Sequence, residues 1–126
     1  EPTGNLDSRT GEEVLRLLAP ATGRQPAAFG HLLQALALYH APATELAVIW
    51  PADGSVDDAA ALVGEARRGY RPNLVLAGGA EGSAAPPLLE GRTAVDGAAA
   101  AYVCQNFTCR TPVTDAAELG KELGDR

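Results

Sequence analysis

Apolar positions follow two patterns along this chain, and one gives way to the other near residue 43. In the first part they recur at helical spacing. "TGEEVLRLLAP" opens on Thr10 and carries Glu13 three residues on, the spacing of a capping box, and predicts a helix that stops at Pro20. "QPAAFGHLLQALALYH" puts Pro26 in a first turn. It then repeats Phe29, Leu32, Leu33 and Leu36 at i, i+3, i+4 and i+7, the stripe of a helix packed on one face. Farther on, the apolar residues run together instead. "ELAVIW", residues 45–50, is closed by Pro51 and predicts a buried strand, and "NLVLAGG" after Pro72 predicts a second. Between them Ser55 with Asp58 forms an acidic variant of the capping box. Ala59, Leu62, Val63 and Ala66 then stripe a helix over 56–69. Strand, helix and strand in this order predict a right-handed crossover joining two parallel strands.

Beyond Gly79, "GAEGSAAPPLLEGR" reads as an ordered surface loop held to the body by Leu88 and Leu89. Asp96-Gly97 has the composition of a tight hairpin turn, and the arm after it, up to about Cys104, makes a third strand. "PVTDAAELGKEL" closes the chain with a helix capped by Thr114 or Asp115, with Leu119 and Leu123 facing inward. The fold class is therefore α/β. Residues 1–42 form a helical segment, and residues 43–126 form a small α/β domain with a parallel or mixed sheet.

Composition narrows the function classes. The 126 residues are 46% hydrophobic and 21% charged, enough for a modest core and unlike a disordered chain. No apolar run approaches the roughly 20 residues of a membrane-spanning helix. A net charge of −6 argues against nucleic acid as a partner, because neutralising phosphates needs clustered Lys and Arg. The one basic cluster, Arg67, Arg68 and Arg71, falls at a helix end, where cations complement the helix dipole. The chain begins at Glu1 without a leader pattern, which reads as a piece of a longer, cytoplasmic protein.

Motifs for common chemistries are weak. "WPADGS" stands where a dinucleotide-binding turn would carry its glycines, but only Gly54 precedes the helix and Asp53 would repel a pyrophosphate. "LAGGAEG" lacks the Lys and Ser or Thr of a phosphate loop. His31 reads as a core-edge histidine and His40 as a helix-end residue, and no cofactor is implied. Glu12 with Glu13, and Asp57 with Asp58, fall where first helical turns are expected and favour negative charge for structural reasons.

The two cysteines, Cys104 and Cys109, lie in "AYVCQNFTCRTPVTD". On one continuous strand their Cα atoms would be about 16 Å apart at ~3.3 Å per residue, and on opposite faces. A bridge, which needs roughly 4.4–6.8 Å, requires the chain to turn within "QNFT", and Gln105-Asn106 could permit that. The spacing is not CxxC, no helix N-terminus activates either thiol, and no third or fourth metal ligand is near. The first expectation is thus two reduced, buried structural cysteines with no metal. A labile or regulatory disulfide comes second and a metal site third.

"LLEGRTAVDGAAAAYVCQNFTCRTPVTDAAEL" resembles the carboxy-terminal signature of the spermatogenesis-associated thioredoxin-domain proteins, whose bacterial members are called thioredoxin domain-containing proteins. "AFGHLLQALALYHAPATELAVIW" is similar to the segment that precedes it there, and "EPTGN" resembles that family's EPSGN motif. Cys104, Asn106 and Cys109 match the signature residue for residue. The resemblance implies an amino-terminal thioredoxin-like domain and a six-hairpin, glycosidase-like helical barrel. The two helices would be the end of that barrel, and the α/β part its closing tail. The thioredoxin-like domain with its CxxC centre and most of the barrel are absent from this chain, and the run between "EPTGN" and "AFGHLL" is shorter than the family's. On this reading the chain is a structural or accessory portion with no complete active site, partnered by the rest of its polypeptide. Two alternatives accompany it. One is a thiol-redox accessory using Cys104 and Cys109. The other is a fragment of a protein of carbohydrate metabolism, with Glu1, Asn5 and Asn106 as candidate pocket residues. A piece cut from a barrel is also expected to expose apolar surface around Val14, Leu17 and Leu18, and so to form a homodimer or to aggregate.

Overall fold

A computed structural model describes residues 8–41, 43–106 and 108–124, with backbone alone at 8–10, 15 and 40. The chain divides into two compact units, Glu1–Ala41 and Pro42–Arg126.

The first unit is helical. Helix α1 spans Ser8–Arg24, so Thr10 lies inside it rather than at its start, and Glu12 and Glu13 fall beyond its first turn. Glu12 instead pairs with Arg16 one turn on, at 2.8 Å on an exposed surface. The helix also continues through Pro20, where the sequence pattern predicts a stop. A proline inside a helix removes one backbone bond and crowds the preceding turn. Here it is flanked by alanines, the best helix formers, and the Thr22 hydroxyl donates to the Ala19 carbonyl at 2.7 Å, so the turn persists. A 3-10 turn, Pro26–Phe29, with Pro26 in its first turn, leads into α2, Gly30–His40. Phe29, Leu32 and Leu36 are half-buried and Leu33 is exposed. His31 is exposed as well, which corrects its reading as a core-edge residue: it lies off the stripe. The side chain of His40 lies outside the described set, as do Glu1 and Asn5 altogether.

The second unit is a four-stranded mixed sheet in the order β2-β1-β3-β4, with β1 at Thr44–Trp50, β2 at Leu74–Ala80, β3 at Ala100–Gln105 and β4 at Thr108–Cys109. Strands β1 and β2 are parallel, with Leu46 opposite Leu76, as the crossover pattern requires. Between them a 3-10 turn, Val56–Ala59, runs into α3, Ala60–Arg68. Ser55 caps this start: its hydroxyl accepts from the Asp57 N–H and its own N–H donates to Asp58 Oδ2 at 2.7 Å. At the other end Arg71 Nη1 donates to the Glu65 and Ala66 carbonyls at 3.3 and 3.2 Å, and Arg68 meets the buried Glu65 carboxylate at 3.2 Å. The basic cluster therefore closes a helix terminus.

Strand β3 runs antiparallel to β1. It is reached through a turn in which Asp96 and Gly97 both take positive φ, 50° and 74°, between the mutually bonded Val95 and Ala98. That is the signature of the tight hairpin turn that Asp-Gly favours. Helix α4, Ala116–Glu122, starts on Asp115, whose carboxylate accepts from the N–H groups of Ala117 and Glu118 at 2.9 and 3.0 Å.

Side-chain alternation splits the sheet into two faces. On one, Leu46, Val48, Ala101 and Val103 pack with Leu62 and Ala66 of α3 and Leu119 of α4. On the other, Ala47 and Ile49 are covered by Leu89, 1% exposed, from the 3-10 turn Pro87–Leu89 in the long loop. Gly79 is required under that loop, since a Cβ there would stand 2.7 Å from Leu89 Cδ1. The face covered by the loop carries the candidate site.

Candidate functional site

Strand β3 ends in a turn at Asn106. Its φ of 49° is a left-handed conformation that asparagine adopts more readily than most residues. The turn folds β4 back so that Gln105 faces Thr108 and Cys104 faces Cys109. The next pair out is tied by the Arg110 N–H donating to the Val103 carbonyl at 3.0 Å. Cys104 and Cys109 thus occupy a narrow, non-hydrogen-bonded position, where antiparallel strands bring side chains closest. Their Cα atoms are 3.9 Å apart and the sulfurs are joined at 2.09 Å.

This corrects the expectation of two reduced, buried cysteines. The distance argument holds for one continuous strand, and the turn at Asn106 removes its premise. Burial is also split between the two: Cys104 is 1% exposed, whereas Cys109 is an exposed residue. Asn106, a candidate pocket residue, instead supplies the turn and is exposed.

The disulfide has a cationic neighbour. Arg92 follows the loop's turn at Gly91, and its Nη2 donates to Cys109 Sγ at 3.1 Å and to Cys104 Sγ at 3.4 Å. Its Nη1 donates to the Leu88 carbonyl, and its guanidinium carbon lies 5.7 Å from the centre of the Tyr102 ring. Tyr102 is held in turn, its hydroxyl donating to the Thr93 carbonyl at 2.9 Å. Carbonyl, ring and hydroxyl fix the guanidinium against the sulfurs. Glu45 pairs with Cys104 across β1 and β3. Together with Pro87, Leu88, Arg92 and both cysteines it lines a pocket of about 290 Å³.

No family model, curated protein or solved structure matches the chain.

The geometry alone therefore says what the site can do. It presents one exposed cysteine, one enclosed cysteine and a fixed positive charge touching both sulfurs. Among the described residues no group of three or more His, Cys, Asp or Glu could hold a metal ion. Among them, too, no helix is long and apolar enough to cross a membrane. Arg92 is the residue of the candidate site that sequence spacing misses, being 12 and 17 positions from the cysteines it contacts. Glu45 left a faint signal as the one charged residue in "ELAVIW".

Proposed function

We propose that the α/β unit is an accessory module of a larger protein and that its chemistry is thiol–disulfide exchange at Cys104–Cys109. The observation that carries this reading is the unequal exposure of the two cysteines beside a single guanidinium. A partner's thiolate attacks Cys109 Sγ, the accessible one. The Sγ–Sγ bond breaks and its electron pair leaves on Cys104 Sγ, where Arg92, 3.4 Å away, offsets the new negative charge. The product is a mixed disulfide on Cys109. A second thiolate of the partner then attacks the partner's own sulfur and releases the Cys109 thiolate. Two electrons pass to this chain, leaving two cysteine thiols here and a disulfide in the partner. The resemblance of the sequence makes the thioredoxin-like domain of the same polypeptide the natural dithiol. In a cytoplasmic setting such a bond is expected to cycle rather than persist. The carbohydrate reading rests chiefly on Glu1 and Asn5, and no described contact supports it.

The test is to treat the oxidised, folded chain with a monothiol, quench with acid and map the adduct by peptide mass spectrometry. Adducts on Cys109 are expected. An unreactive disulfide in the folded chain would reduce the pair to a structural staple, and adducts mainly on Cys104 would reverse the proposed direction of attack.

A further inference from the structure

The same end of the sheet carries a second pocket, on the opposite face, and its chemistry has nothing to do with thiols. It measures about 320 Å³ and is lined by Asn73, Gln105, Arg110 and Glu122, with Leu74 and Val103 among its apolar residues. Its polar groups come from three places. Asn73 precedes β2, Gln105 and Arg110 flank the β3–β4 turn, and Glu122 ends α4. Arg71 lines it too, but its Nη1 is donated to the carbonyls of α3. Gln105 is held by its Nε2, which donates to Thr44 Oγ1 at 2.8 Å.

Among the described residues, the buried side-chain atoms that lack a hydrogen-bond partner are Asn73 Oδ1 and Glu122 Oε2. Both residues line this one pocket. Buried acceptors are normally paired, so two orphans among the residues of one cavity leave it rich in acceptors. Amide and carboxylate torsions are broad and roughly two-fold, so rotation about them can present an oxygen of either group to the cavity. Exposed Arg110 supplies positive charge to the same lining.

We infer that this pocket binds a small zwitterion of amino-acid type. Its protonated amine donates to Asn73 Oδ1 and Glu122 Oε2, and its carboxylate meets the Arg110 guanidinium. The volume is at the lower end of the roughly 300–1,000 Å³ typical of ligand pockets, which suits an amino acid and not a nucleotide. A carboxylate and an amide oxygen fall well short of the roughly six to eight oxygen ligands that Ca²⁺ takes.

The experiment titrates the oxidised full chain with L-glutamine, and separately with butylamine and butyrate as half-ligands, following backbone amide resonances around Asn73 and Leu123. L-glutamine is expected to shift these saturably, and each half-ligand to bind about tenfold more weakly, the loss expected for one charge-assisted contact. Glu122→Gln should weaken L-glutamine and butylamine by about the same factor and spare butyrate. Arg110→Gln, at an exposed position, should weaken L-glutamine and butyrate and spare butylamine. The spectra themselves report whether each variant is folded. If none of the three probes produces a saturable shift at these residues, water alone fills the pocket and the inference is overturned. L-glutamine binding that survives both substitutions unchanged overturns it equally.

Discussion

Replacing Arg92 with glutamine tests the link between the guanidinium and the disulfide, and its size can be worked from the geometry. The leaving sulfur of Cys104 lies 3.4 Å from Arg92 Nη2. Two unit charges at that distance interact by ~1 kcal/mol in water and ~5 kcal/mol at an effective dielectric near 20. In the transition state the leaving sulfur carries about half a charge, and Arg92 is only half-buried, so the lower part of that range applies. About 0.5–2 kcal/mol remains, which slows attack by a small monothiol roughly 2- to 30-fold. Stopped-flow or quenched assays at neutral pH on folded Arg92→Gln would read this directly. Arg67→Gln, remote on α3, is the matched control for loss of one positive charge. The difference should shrink in 1 M salt, where the screening length falls to about 3 Å. Equal rate constants for Arg92→Gln and the unaltered chain, or a gap indifferent to salt, would refute the electrostatic role.

Leu89→Ala should lower unfolding stability by about 2–5 kcal/mol in a denaturant titration, because the side chain is buried against Ala47 and Ile49 and forms the apolar underside of the loop. Asp115→Ala should cost about 1 kcal/mol by the same assay, since it removes both bonds that cap α4. Reducing the disulfide should lower stability by about 2 kcal/mol, the loop-closure value for a sequence separation of 5. Helix α1 exposes Leu17 at 79% and Val14 at 38%, and we expect self-association through them. Light scattering should show a mass that rises with concentration and falls back in Leu17→Asp, whereas a monomer throughout would dismiss the idea.

The parallel pair was legible because its determinants are local. Pro51 and Pro72 punctuate two apolar runs, and the Ser55–Asp58 pair marks the helix between them, so the alternation of strand and helix follows without knowledge of the fold. The Asp96-Gly97 turn was legible for the same reason. The disulfide was not, because it hinges on a single residue: Gln105-Asn106 permits a turn but does not demand one, and every distance estimate depends on that choice. Arg92 was hidden differently. Its place beside the sulfurs depends on the path of the whole loop from Gly82 to Gly91, on Leu89 entering the core and on Tyr102 lying under the guanidinium, and none of these leaves a periodic trace. Pro20 shows the converse, a strong local signal overridden by its alanine-rich surroundings.

The strand order also leaves the sheet with two unlike margins. At one, β4 lies along the end of β3 and Val113 exchanges backbone bonds with Ala101, so the flank of β3 is occupied, and its Cys104–Cys109 rung is covalently fastened. At the other, β2 reads Leu74-Val-Leu-Ala-Gly-Gly-Ala80, seven residues without a charge or a proline, with Val75 49% exposed. No described strand pairs with its outer side. Proteins ordinarily guard such a border with lysine, proline or a bulge, because an unguarded row of amides templates the addition of another chain. Growth of the sheet by accretion is therefore lopsided: a ribbon-like assembly of this unit would find seven residues of template at β2 and only two at β4.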